Sequence, residues 1–158
     1  MLAIGGVAPD FSAETTDGTK LRLSDLRGRV VVIYFFPRAF TPGCTIETNR
    51  FRDNYPEISA LGAQVVGISP DEFERQCRFA EARQVAFPLV SDATKEIARS
   101  YDVQSSILAR NKRVTYIIDE QGVVQAIFHH EWQVSRHLDD VLAFLKKRKA
   151  GQASADHA

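Results

Sequence analysis

With 158 residues, 44% of them hydrophobic and 25% charged, the chain is long enough for one domain to bury a core without disulfide or metal staples. Lys+Arg and Asp+Glu both number 20, so no net positive field exists to gather phosphates, which argues against a nucleic acid or an anionic membrane as partner. No basic segment leading into a long apolar run opens the chain, and no stretch approaches the ~18 apolar residues of a membrane span, so a soluble, cytoplasmic protein is expected.

In chain order, residues 11–23 alternate weakly and turn at Asp17-Gly18, which predicts an N-terminal β-hairpin. Residues 30–36 are a continuous β-branched and aromatic run between Gly28 and Pro37, the pattern of a strand buried on both faces of a sheet. From Pro42 the spacing turns helical, with Phe51 and Tyr55 one turn apart and Pro56 as an interruption or kink. A second buried strand is expected at residues 65–68. Ser69-Pro70-Asp71-Glu72 then reads as an N-cap, first-turn proline and two acids opening a helix that runs to about Val85. Residues 87–90 suit a short strand or extended link, 94–101 a helix, and 114–119 a strand. Glu120-Gln121-Gly122 turns the chain into a hairpin partner at 123–128, and Leu138, Val141, Leu142 and Leu145 mark the apolar stripe of a closing helix. The layout is α/β, a central mixed sheet flanked by helices with an N-terminal β-hairpin, in one domain over 1–150 followed by a disordered tail over 151–158.

Two cysteines in a chain with its own core are not a disulfide scaffold, so each is core filler, metal ligand or reactive thiol. Cys44 follows Pro37-Arg38-Ala39-Phe40-Thr41-Pro42-Gly43 in the loop between a central strand and a helix, where open α/β sheets build their sites. A first-turn cysteine sees unpaired N–H groups and the positive end of the helix dipole, which favour thiolate over thiol. Taken singly, Cys44 packs under a loop, Pro37 ends a strand and Thr41 caps a helix. Together they form a pocket around one sulfur, with Pro42-Gly43 letting the backbone come close.

Pro37-x-x-x-Thr41-x-x-Cys44 after an aromatic strand resembles the signature of peroxiredoxins, and Gly43-Cys44-Thr45-Ile46-Glu47 with Phe51-Arg52-Asp53 resembles their bacterioferritin-comigratory, or peroxiredoxin Q, branch. Ala8-Pro9-Asp10-Phe11, Phe87-Pro88-Leu89-Val90-Ser91-Asp92 and Arg113-Val114-Thr115-Tyr116 resemble further landmarks of that branch, so the likeness spans nearly the whole chain. The resemblance implies a thioredoxin-like fold and a thiol-dependent peroxidase that reduces hydrogen peroxide and organic hydroperoxides through a sulfenic acid on Cys44. By the same resemblance Arg113 joins Thr41 and the backbone N–H groups of Gly43 and Cys44 in holding the peroxide, and Pro37 shields the sulfur. Glu47 resembles a family-typical acid, against the alternative that it serves the helix N-terminus or pairs with Arg50.

Many members of the branch carry a resolving cysteine five residues after the first, and here that residue is Asn49. Cys77 resembles the alternative location on the next helix. Its stripe with Phe73 and Ala80 leaves a buried core thiol as the other reading. A peroxidase of this kind needs no cofactor or metal, and it draws electrons from thioredoxin or another thiol reductant. A monomer is expected, with a dimer as the alternative. Competing readings are a one-cysteine peroxidase using an external thiol, a redox sensor or binding module, a disulfide reductase, for which no C-x-x-C exists, and a Cys–His hydrolase recruiting His129, His130 or His137. The scattered histidines and cysteines have no zinc spacing.

Overall fold

The computed structural model describes residues 1–105 and 110–156. Chain order runs β1 (Ser12–Glu14), β2 (Lys20–Arg22), a 3-10 turn (Leu23–Leu26), β3 (Val30–Phe35), α1 (Pro42–Ala60), β4 (Ala63–Ser69), α2 (Phe73–Ala82), β5 (Leu89–Ser91), α3 (Glu96–Ser100), β6 (Val114–Ile118), β7 (Val124–His129) and α4 (Arg136–Asp156). β1 and β2 pair antiparallel as the expected hairpin, and the other strands form a mixed sheet of order β5-β4-β3-β6-β7. The β3–β4 and β4–β5 pairs are parallel, whereas β3–β6 and β6–β7 are antiparallel.

All six residues of β3 are buried, which is why its apolar run has no alternation. Val30, Val32 and Tyr34 point to one core with Phe51 of α1, Phe79 of α2 and Leu138, Val141 and Leu145 of α4. Val31, Ile33 and Phe35 point to the other, against Ala98 and Tyr101 around α3 and Tyr116 of β6. Each of the valine, leucine, isoleucine and phenylalanine side chains among these contributes roughly 1.5–3 kcal/mol on burial, so the sheet is anchored from both faces. The antiparallel register of β3 with β6 sets Phe35 beside Val114. Arg113, one residue earlier, therefore emerges at the end of β3 where the chain enters the loop toward α1.

Three boundaries differ from the sequence expectation. Pro56 does not interrupt α1, which is helical from Pro42 to Ala60. α2 begins at Phe73, because Ser69 is the last residue of β4 and its hydroxyl donates to the Asp71 carboxylate rather than capping a helix. α4 continues past Gly151 to Asp156, where composition suggested disorder, in a stretch whose alanines have high helix propensity. Residues 157 and 158 of that tail lie outside the described residues. No helix among the described residues is long and apolar enough to cross a membrane.

Candidate active site

Cys44 occupies the third position of α1, behind Pro42 and Gly43. The first turn closes when the Thr45 N–H donates to the Thr41 carbonyl at 2.9 Å, so the N–H groups of Gly43 and Cys44 precede the intrahelical ladder. The sulfur is fully buried, and the Arg113 guanidinium donates to it from Nη1 at 3.2 Å. Arg113 reaches this point over Gly43. A Cβ on Gly43 would lie 2.7 Å from Nη2 of Arg113, so a side chain there would force the guanidinium to shift.

Thr41 is the N-cap residue by backbone conformation but makes no side-chain cap bond. Its hydroxyl donates instead to the Arg38 carbonyl at 2.8 Å and faces the sulfur, where it favours the thiolate. Pro37 is buried and lines a cleft of about 540 Å³ with Arg38, Thr41, Pro70, Asp71, Lys95, Arg110 and Arg113. A neighbouring cleft of about 330 Å³ shares Pro37, Arg110 and Arg113 and adds the apolar walls of Ile46, Trp132 and Val134. Pro37, Thr41, Cys44 and Arg113 are thus brought to one place.

The electrostatics depart from the sequence expectation of a favoured thiolate. Burial pushes the Cys44 thiol up, the Thr41 hydroxyl, the Arg113 charge and a backbone bond at Arg38 pull it down, and Glu47 pushes it up again. Glu47 does not pair with Arg50, whose guanidinium binds Asp139 at 2.7 Å. It lies 3.8 Å from Arg113 on one side and 3.5 Å from His137 on the other, almost entirely buried.

Asp71 was legible only as a helix-start acid, yet its carboxylate accepts the Ala39 N–H at 2.7 Å and the Arg75 Nε at 3.0 Å. Arg75 also donates to the Ala39 carbonyl at 2.9 Å and stacks over the Phe40 ring at 5.1 Å. Phe40 has a positive φ of 67°, a backbone state that costs of order 1–3 kcal/mol and persists because these bonds hold both flanks of the loop. The i, i+4 spacing of Asp71 and Arg75 was the available signal. Nothing in the sequence marked the loop carbonyl and N–H as their targets.

Cys77 is half-buried on α2 and lines a different cleft with Thr16, Asp17, Ala80, Glu81, Val85, Ala86 and Phe87. The buried face of α2 carries Gln76 and Phe79, while Phe73 is exposed, so the expected apolar stripe through Phe73, Cys77 and Ala80 is not the core face. Both cysteines are free. His137 is buried at the start of α4, with Nε2 donating to the His130 carbonyl at 2.9 Å and Nδ1 facing the Thr115 hydroxyl at 2.8 Å.

A five-stranded mixed sheet flanked by helices, with an N-terminal antiparallel hairpin, is a thioredoxin-like fold, and it carries a buried cysteine and a guanidinium at the start of α1. The chain belongs to the AhpC/TSA family, which it matches over residues 4–127. It is 36% identical over 152 residues to the peroxiredoxin Bcp of Escherichia coli, covering 92% of this chain and 97% of that protein. It is 36% identical over 143 residues to the chloroplastic peroxiredoxin Q of Gentiana triflora, covering 90% of this chain and 66% of that one. Among solved structures, peroxidoxin BcpB of Mycobacterium tuberculosis superposes with a TM-score of 0.86 at 36% identity, over 93% of this chain and 98% of that one. The bacterioferritin comigratory protein of Xanthomonas campestris, described for its alkyl peroxide reduction activity, superposes with a TM-score of 0.80 at 31% identity over 87% and 91%. The chain is a thiol-dependent peroxidase of this family.

Proposed function

We propose that the chain reduces hydrogen peroxide and organic hydroperoxides through Cys44, with Thr41, Pro37 and Arg113 completing the reactive pocket and Cys77 resolving the oxidised sulfur. The Arg113 Nη1 to Cys44 Sγ contact of 3.2 Å carries the reading. The thiolate attacks one peroxide oxygen, the O–O bond breaks, and its electron pair leaves on the second oxygen, which takes a proton. Charge builds on that oxygen, so donors aimed at it lower the barrier more than any gain in thiol acidity. The Arg113 guanidinium, the Thr41 hydroxyl and the first-turn N–H groups are such donors. Pro37 keeps water from the sulfur, and the Ile46, Trp132 and Val134 walls accommodate an organic substituent.

The sulfenic acid on Cys44 is then attacked by a thiolate, the S–O bond breaks, its oxygen takes a proton and leaves as water, and the resulting disulfide is reduced back to thiols by an external dithiol, thioredoxin or another thiol reductant. With Cys77 as that thiol, the Cα atoms must come within about 7 Å. Cys44 is enclosed under Arg113 and Cys77 lines another cleft, so the first turn of α1 unwinds as the bond forms. The separateness of the clefts also favours a second reading, a one-cysteine cycle in which an external thiol attacks Cys44 directly. The protein works as a monomer in the cytoplasm on either reading.

Intact mass and free-thiol counts after one equivalent of hydrogen peroxide, on wild type, Cys44→Ser and Cys77→Ser, test this. Loss of both thiols and two hydrogens in wild type establishes the internal disulfide. One added oxygen with Cys77 still free establishes the one-cysteine cycle. Two untouched thiols would overturn the peroxidase role of Cys44, and oxidation without turnover in added thiol would reduce it to a sensor.

A further inference from the structure

The pocket behind Cys44 contains a second acid that the peroxidase reaction does not call for. Glu47 is one turn along α1 from Cys44, is 1% exposed, and neither carboxyl oxygen has a hydrogen-bond partner in the structure. An ionised carboxylate without donors in such a place carries its full desolvation cost. His137 offers no relief, because its Nε2–H is committed to the His130 carbonyl at 2.9 Å and burial holds the ring neutral, down to about 4.

The only cation at Glu47 among the described residues is therefore Arg113, at 3.8 Å from Oε1, and the same Nη1 atom is the one that donates to Cys44 at 3.2 Å. Two acids compete for one guanidinium nitrogen. The remaining charged or titratable neighbours are Tyr34 of β3, held neutral by burial, and Glu131 beyond β7, whose charge adds to the repulsion on Glu47. A buried site with a single cation does not hold both anions.

We propose that Cys44 and Glu47 share one negative charge opposite Arg113, so that Glu47 governs how much of Cys44 is thiolate. The inference rests on Cys44 being the attacking sulfur. When Glu47 carries the proton, Arg113 is free to hold the thiolate; when Glu47 gives its proton up, the charge of Arg113 is spent on the carboxylate and Cys44 stays a thiol. One proton leaves the pocket in either case, so neither arrangement needs a co-reactant. Glu47 acts through Arg113 and is a positioning residue. The direction in which burial moves Glu47, up to about 8, agrees with an acid that retains its proton near neutrality.

The test is the ultraviolet absorbance of the Cys44 thiolate as a function of pH in a Cys77→Ser background, where one thiol titrates, with and without Glu47→Gln. Removing the competitor is expected to move the thiolate titration down by about one pH unit, with the acid limb of kcat/KM for hydrogen peroxide following it. Glu47→Met, which also fills the space and has no lost hydrogen bond to answer for, is expected to do the same and stands in should the amide variant fail to fold. A thiolate titration that stays where it was or moves up in a folded variant overturns the proposal. If the Cys77→Ser parent consumes no peroxide while its thiolate titration still moves with Glu47, the charge sharing stands and the peroxidase role of Cys44 falls.

Discussion

Cys44 lies fully buried in the first turn of α1 with a guanidinium on its sulfur, whereas Cys77 sits half-buried in α2, in a cleft whose charged residues are the acids Asp17 and Glu81. The two thiols share intrinsic chemistry and differ in surroundings. At Cys44 a cation and unpaired N–H groups face the sulfur and the place of an incoming oxygen, whereas Cys77 lies in mid-helix, away from any helix N-terminus. Exposure ranks them the other way, so accessibility alone would choose Cys77 as the first to react.

The largest effect that would break this contrast comes from exchanging the sulfurs for oxygen. Cys44→Ser is expected to lower peroxide turnover with excess thiol reductant by on the order of a thousandfold or more, because a serine hydroxyl is not ionised near neutrality. Cys77→Ser is expected to leave the first oxidation of Cys44, followed by stopped-flow fluorescence of Trp132 or by thiol titration, within about twofold. Equal losses from the two variants would remove the distinction.

The contrast sharpens at Arg113. Arg113→Met is expected to slow the first oxidation by about 10²–10³, the range for removing a donor to a developing oxyanion, while Arg113→Lys recovers part of it as a point charge without the planar fork. Next comes Gly43→Ala, whose new methyl group would lie 2.7 Å from the Arg113 guanidinium. It is expected to displace the guanidinium and cost about tenfold in kcat/KM with little change in unfolding midpoint. A Gly43→Ala protein as fast as wild type would mean that Arg113 reaches Cys44 by another path.

The smallest effect concerns the buried groups beside Cys44, for which Cys77 has no counterpart. Glu47, raised from an ordinary 4.5 to about 8, holds its proton more tightly when folded, so its stabilising contribution is complete below about 4.5 and is lost as pH rises through about 8. His137, lowered from 6.5 to about 4, binds its proton more tightly when unfolded, so its contribution is complete above about 6.5 and is lost as pH falls through about 4. The slopes oppose each other between 4.5 and 6.5, and Glu47 acts without His137 from there to about 8. Urea unfolding across pH 6.5 to 8 is expected to show this contribution declining in wild type and absent in Glu47→Met.

Local pattern made much of the architecture readable. The run ending in Phe36, the turn at Asp17-Gly18 and the Pro37 to Cys44 loop behave as their residue types require, because a strand buried on both faces and a proline-bounded loop leave the backbone few options. Misreadings arose where a side chain had two local uses and a distant partner decided between them. Ser69 and Thr41 both looked like caps, yet one hydroxyl binds Asp71 and the other the Arg38 carbonyl. Glu47 had Arg50 one turn away but faces Arg113 and His137 instead.

By itself the sequence determined where Cys44 lies, in the first turn of the helix after a central strand, since a strand, a breaking proline and a helix start are set by contacts within a few residues. What surrounds that cysteine was decided only by tertiary structure. Arg113 is 69 residues away in the chain, and it meets Cys44 because β6 runs antiparallel to β3 with Val114 beside Phe35. His137 comes from α4, and the competition of Glu47 with Cys44 for one guanidinium exists only once all of these elements are packed. Charge interactions depend on distance through space and on burial, and neither quantity is carried by residue order.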